Sequence, residues 1–295
     1  MDAIDAAERF LWRNARLLER LRFEHLFRDG EPATVVDALR PYQRADGGFG
    51  HALEPDFRGP ISQPTTADSA LRVLDEVGAL PDDLVLPLCD WLTTATTDEG
   101  GVPMVLTSAG AYPRAPWWDP PEDQRASLLP TSGLAGHLHR YGVDHPWLGP
   151  ASEFTWRALA EVPARVAAGD WLVQLAYDVR CAVVFLDSVP DRERAEGVAA
   201  ELGDVLVSSG VVALDPATEG EVATPLDFAP RPHSLARRWF DDATIEAHLD
   251  AVAAGQAEDG GWTVTWEAWV PVAGLEWRGW QTVERLKTLR AYGRL

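Results

Sequence analysis

The chain has 295 residues, 46% of them hydrophobic, which is enough to bury a sizeable core. Its formal net charge of -20 opposes binding to nucleic acid and to anionic membrane surfaces, since both need lysine and arginine to displace counterions. Two distant cysteines, Cys89 and Cys181, exclude a disulfide framework or a paired-cysteine metal site, and no apolar run reaches membrane-spanning length.

The first predicted element is a helix over roughly 3–27, with Phe10, Leu11, Leu18 and Leu21 on one side. Its charges are spread throughout, unlike a signal peptide, so a cytosolic protein is expected. Next comes "QRADGGFG", Gln43 to Gly50, and the same pattern returns near the other end as "QAEDGGWT", Gln256 to Thr263. Glycine tolerates positive φ, and the aspartate before it can accept from backbone two residues on, so each stretch reads as a helix end and a tight corner. Weaker corners fall at Gly100-Gly101 and at Ser209-Gly210, which spaces the set by about fifty residues, the mark of stacked supersecondary units.

A second element follows each corner. "PTTADSALRVLDEVG" opens at Pro64, "PTSGLAGHLHRYG" at Pro130, "PHSLARRWF" at Pro232 and "QTVERLKTLRAYG" at Gln281. Proline suits a first helical turn, Thr or Ser can cap it, and the closing glycines read as helix stops. Ala70, Leu71, Leu74 and Val77 lie on one face of the first of these helices. Strand-like alternation is confined to "GGVPMVL" and "SGVVALD", which predict short β segments at most. Each unit is thus a more polar helix, a corner, a loop and a more apolar helix, and such pairs bury their faces only by stacking. Five or six pairs fit the chain, enough to close a ring, and no Ser/Gly-rich linker divides it, so residues 1–295 read as one all-α domain with the N-terminal helix packed across the ring.

The Gln-x-x-Asp-Gly-Gly-aromatic turn followed by Pro-Thr or Gln-Thr resembles the repeat of squalene-hopene and oxidosqualene cyclases and of protein prenyltransferase β subunits. "QRADGGFG…QPTTADSALRVL" and "QAEDGGWT…GWQTVERLKTL" carry both halves of it. The resemblance implies an (α/α)6 toroid around a central cavity. It does not extend to those families' catalytic residues. No Asp-x-Asp-Asp motif occurs, "LPDDL" holds only the pair Asp82-Asp83, and the nearest approach to the Asp-x-Cys zinc pattern is Asp178 to Cys181, one residue too long. No metal or other cofactor is therefore expected.

Chemistry is expected in the loops between corner and following helix. They hold Asp56, Asp119, Asp227 and Glu276, which a ring would gather at one end of its cavity. A carboxyl buried among aromatics has a raised pKa and can act as general acid, whereas two opposed carboxyls can share acid and base roles in sugar hydrolysis. Trp117, Trp118 and Trp277 are candidates to line the pocket, together with Arg278, with His51 after the first corner and with His233, expected to open an inner helix. Aromatic faces stabilise cations and also stack on sugars. Three readings stand side by side: acid-initiated chemistry on an isoprenoid or other apolar small molecule, a carbohydrate-active hydrolase or lyase, and a non-catalytic toroid that binds a ligand or a protein. Nothing in the sequence sets an oligomeric state.

Overall fold

The computed structural model describes residues 2–295. In chain order the α-helices are α1 (Ala3–Asn14), α2 (Leu17–Phe27), α3 (Pro32–Leu39), α4 (Pro64–Glu76), α5 (Asp82–Ala95), α6 (Leu128–Arg140), α7 (Leu148–Ala168), α8 (Leu172–Ser188), α9 (Arg192–Ser208), α10 (Pro225–Phe228), α11 (Asp242–Ala254) and α12 (Pro271–Ala291). Short 3₁₀ turns occupy Arg40–Tyr42, Thr107–Ala111, Pro116–Trp118 and Leu235–Trp239. Among the described residues, β structure is limited to isolated bridges, so the chain is all-α. One such bridge, Val212 to Ala223, lies in the second predicted β stretch, and none lies in the first. Among the described residues no helix is long and apolar enough to cross a membrane.

Local signals account for many boundaries. Asp2, Asp191 and Asp241 accept from backbone N–H groups of the first turns of α1, α9 and α11, satisfying donors that the helix itself leaves orphaned. Pro32, Pro64 and Pro271 stand in first turns, where the missing N–H costs nothing. Of the face noted on α4, Ala70, Leu71 and Leu74 are buried and Val77 packs against the core from its edge.

Three expected elements take a different form. The N-terminal helix breaks into α1 and α2 at Ala15 and Arg16, both extended. Side chains compensate the break: Asn14 donates to the Phe10 carbonyl (3.0 Å) and Arg20 to the Ala15 carbonyl (2.9 Å). Arg16 reaches out to the carbonyls of Ala52 and Leu53 (2.8 and 2.9 Å). The helix predicted from Pro232 is a loop running into the 3₁₀ turn at Leu235. Its place after the corner at Gly210 is taken by α10, because Pro230 and Pro232 cannot donate to a continuing helix. Finally, α12 begins at Pro271, ten residues before Gln281, so Glu276, Trp277 and Arg278 stand on a helix and not in a loop.

Packing follows an alternation. Most even-numbered helices touch in succession, α2 with α4, α4 with α6, α6 with α8, α8 with α10, and α12 with α2, while α11 bridges α10 and α12. Odd-numbered helices lie against them: α3 against α2 and α4, α7 against α6 and α8, α11 against α10 and α12, and α1 against both α2 and α12. One hydrophobic cluster runs from Ala7 to Leu289, and a smaller one, Phe57, Val105, Ala109, Ala115 and Trp118, lies under the long loops.

The repeated corner is the same device twice. Gln43 donates to the Gly47 carbonyl (2.9 Å) across the turn and to the Leu84 carbonyl of α5 (2.8 Å). Gln256 donates to the Gly260 carbonyl (2.8 Å) and to the Ala3 carbonyl of α1 (2.9 Å). Asp46 and Asp259 each accept from the N–H two residues on (3.1 Å both), and Gly47 and Gly260 have φ of 91° and 97°. The corner after α3 therefore docks on α5, and the corner after α11 docks on α1. The chain writes its last corner like its first because each seats on the N-terminal part of an outer helix, α5 for the first and α1 for the last.

Candidate active site

The loop after the first corner is pinned at both ends. Gly50 donates to the Tyr42 carbonyl (3.0 Å), His51 N–H to the Gly59 carbonyl (3.1 Å), and Arg16 clamps Ala52 and Leu53 from below. His51 and Ala52 take positive φ, 57° and 59°, a sharp bend that turns the next residues inward. Glu54 and Asp56 are thereby buried, 5% and 4% exposed. A Glu54 carboxyl oxygen accepts from the Asp56 N–H (2.7 Å). The Asp56 carbonyl accepts from Ala115 N–H (2.8 Å), which draws the 113–119 loop over the carboxyl group, and Phe57 stacks on Trp118 with ring centres 5.3 Å apart.

The Asp56 carboxyl meets this second loop directly. Trp117 donates its indole N–H to Oδ2 (3.0 Å), while Oδ1 is buried with no hydrogen-bond partner among the described residues. Burial pushes the Asp56 carboxyl up, against the opposing pull of the Trp117 and Trp277 indoles and of Arg58. Burial, reinforced by the charge of Asp56, pushes Glu54 well above the usual carboxylate range. Arg58 pairs with Glu276 (2.8 Å), tying the loop to α12, and Trp277 packs edge-to-face on Trp266 (5.6 Å). Glu221, from the loop before α10, also raises Asp56 through its charge and accepts from the Tyr177 hydroxyl (3.0 Å).

Of the residues singled out in the sequence, Asp56, Trp117, Glu276 and Trp277 therefore meet here, and Trp118 supports them from the buried cluster. The others lie elsewhere. Asp119 is 68% exposed and paired with Arg114 (2.6 Å). Asp227 caps α10 by accepting from Thr224 (2.8 Å to both its N–H and hydroxyl). Although burial opposes it, Arg285, Arg180 and those hydrogen bonds hold its carboxyl below the usual range, so it stands as an anion. Arg278 braces the last corner through Asp259 (2.8 Å) and lies over Phe10. His51 is exposed beside Arg44, and His233 is exposed in the loop before the 3₁₀ turn and opens no helix.

The sequence reading missed Glu54, which sits in a loop with no periodicity to mark it. It also missed a charged layer on the even-numbered helices. Asp68, 5% exposed, lies among the buried residues of α4. Arg22, Glu76, Glu284 and Lys287 form an ion network joining α2, α4 and α12. The sequence shows Asp68 and Arg180 as charges within helical stretches but not what faces them.

Burial pushes Asp68 up to about 6, with Arg72 and Arg180 opposing. Against an unfolded value of about 3.9, the native state carries an ionised group at a penalty above pH 6 and is relieved of it as pH falls from about 6 toward 4. Asp68→Asn is accordingly expected to stabilise the protein by about 1–3 kcal/mol near pH 7.5, with the gain vanishing near pH 4. Urea unfolding of both proteins at the two pH values checks this; an equal difference at both would refute it.

No family model matches the chain, and no curated protein matches it. Among solved structures it is similar to the crystal structure of a protein from Actinoplanes, with 19% identity, a TM-score of 0.63, and coverage of 99% of this chain and 100% of that one. That likeness concerns the fold.

Proposed function

We propose that the chain is a single (α/α)6 toroid of the terpene cyclase and prenyltransferase type, working in the cytosol, in which Asp56 is a general acid acting on an isoprenoid or other apolar small molecule. The succession of contacts from α2 to α10, the bridge of α11 from α10 to α12, and the return of α12 to α1 and α2 support the ring. The observation that carries the chemistry is the Asp56 carboxyl: one oxygen is held by the Trp117 indole and the other is buried without a partner, in a setting that raises its pKa. A carboxyl whose pKa is raised by burial holds its proton more firmly than a free one and is better suited to deliver it as a general acid. Proton transfer from Asp56 to a substrate double bond would leave a carbocation, which the faces of Trp117, Trp277 and Trp266 are suited to stabilise. The acid would then come from the loop after the first corner, in place of the absent Asp-x-Asp-Asp motif.

A second reading, sugar chemistry, draws on Glu221. It is a second carboxylate in the field of Asp56, brought by a different loop, and Trp117 offers a half-exposed platform beside the pair. Native mass spectrometry of the purified protein, for ligands carried through purification, separates the two readings by the chemistry of what is found. With that ligand or its precursor as substrate, Asp56→Asn is expected to lower turnover about 10²–10⁴-fold, the range for a lost general acid. If Asp56→Asn and Glu54→Gln both leave turnover and ligand retention as in the parent, Asp56 is not the acid.

A further inference from the structure

Three arginines on three of the even-numbered helices have no hydrogen bond from their guanidinium groups to any described residue: Arg72 on α4, Arg180 on α8 and Arg285 on α12. Two have only distant carboxylate neighbours, Arg72 with Glu284 at 3.7 Å and Arg285 with Asp227 at 3.7 Å. Arg180 has no ion pair at all; its guanidinium lies over the Tyr177 ring, 4.8 Å from the centre. The three share neighbours. Asp68 feels both Arg72 and Arg180, and Asp227 feels both Arg285 and Arg180. Neither carboxylate neutralises the group by contact, because Asp68 packs against Gly133 and the hydrogen bonds of Asp227 go to Thr224. The carboxylates around the three cations, Asp68, Asp227 and Glu284, thus accept no hydrogen bond from them, and many N–H donors remain free.

Such an arrangement is open to an occupant. The three side chains are only partly buried, Arg72 35% and Arg285 25% exposed, so a permanently charged guanidinium with free donors stands where a ligand acceptor can reach it. Its planar fork matches the geometry of a carboxylate or phosphate, where two parallel hydrogen bonds form at once. We infer that Arg180, flanked by Arg72 and Arg285, forms an oxyanion-binding site between α4, α8 and α12 that receives a carboxylate or phosphate group of a ligand. Asp68 and Asp227 border the site and restrict it to one anionic group, since a second would meet them directly. The inference does not depend on the role given to Asp56.

Isothermal titration calorimetry at constant ionic strength, with sodium phosphate in one arm and sodium acetate in the other, tests it. Saturable one-site binding of at least one anion is expected, and the arm that binds identifies the class. Arg180→Gln is expected to weaken that binding at least about tenfold, the loss of a charge-assisted contact. Arg180→Lys is expected to retain part of it, while Asp56→Asn and the exposed Arg125→Gln leave it unchanged. Failure of both anions to bind the parent protein, or equal binding by Arg180→Gln, overturns the site. Should Arg180→Gln not fold, the parent protein is treated with phenylglyoxal and mapped by peptide mass. Labelling of Arg180 that phosphate suppresses supports the site; no labelling, or labelling that phosphate leaves unchanged, counts against it. Loss of anion binding in Arg180→Gln with no effect of Asp56→Asn on any ligand would retain this site and reject the general-acid reading alone.

Discussion

Gly260→Ala is expected to destabilise the protein by about 2–5 kcal/mol, and Gly47→Ala by a similar amount. The estimate combines about 1–2 kcal/mol for a side chain in the left-handed region with about 1–3 kcal/mol for overpacking. Both glycines hold φ above 90°, and a methyl group on either would enter the space of a backbone carbonyl, that of Ala6 in α1 for Gly260 and that of Pro87 in α5 for Gly47. Backbone inside a helix cannot swing aside as a flexible side chain would, so the corner itself has to lift. Lifting it also breaks the hydrogen bond that Gln256 gives to Ala3, or that Gln43 gives to Leu84. Gly210 is the internal control. Its φ is 76°, yet a methyl there meets nothing within 4 Å, so Gly210→Ala should cost only the conformational part. Urea unfolding of the three variants checks this, and amide exchange should show α1 loosened selectively in Gly260→Ala. Equal costs for Gly260→Ala and Gly210→Ala would mean that the docking of the corner on the first helix contributes nothing.

That comparison also explains what could be read in advance. The corner, the proline-opened helices and the buried face of α4 are set by residues within a few positions of one another, so their signals are local. The break between α1 and α2 is not. It depends on Arg16 finding carbonyls at Ala52 and Leu53, some thirty-six residues away, and no periodicity reports that. The start of α12 was hidden because Glu276, Trp277 and Arg278 interrupt its apolar pattern to serve contacts with Arg58, Trp266 and Asp259. At the site, Asp56, Asp119 and Asp227 looked equivalent as acids ahead of helices. They differ in what satisfies them. Arg114 takes Asp119 at the surface, Thr224 takes Asp227 in a helix cap, and only Asp56 keeps an oxygen unpaired in a buried setting. The charged layer was invisible for a related reason: one arginine in an apolar helix carries no information about which carboxylates, on which other helices, will face it.

Arg22 shows how much that layer matters to the folded state. It is fully buried, donates to Glu76 through Nε and Nη2 (2.6 Å each) and to Glu284 through Nη2 (2.7 Å), and lies 4.0 Å from the centre of the Trp280 ring. Replacing it removes one cation from between two carboxylates and leaves Lys287 (2.5 Å from Glu76, 3.2 Å from Glu284) as the cation still hydrogen-bonded to them. Arg22→Met keeps most of the volume and still strands charge, so a loss of about 3–5 kcal/mol is expected, as for other buried pairs broken on one side. Neutralising a partner should recover part of it: Arg22→Met with Glu76→Gln is expected to be at least about 1 kcal/mol more stable than Arg22→Met alone, a coupling that a double-mutant cycle reads. The pH dependence follows from Glu284. Burial acts to raise its carboxyl, but Lys287, Arg72 and Arg22 together hold it far below the usual range. A depressed carboxyl contributes stability that is present above its unfolded value near 4.3 and is lost as pH falls below it. Removing Arg22 removes one source of that depression, so the acid-induced loss of stability between about pH 4.5 and 2 should be shallower in Arg22→Met than in the parent. An unchanged slope, or a cost below about 1 kcal/mol, would show that the network across α2, α4 and α12 is screened by water and holds little of the fold together.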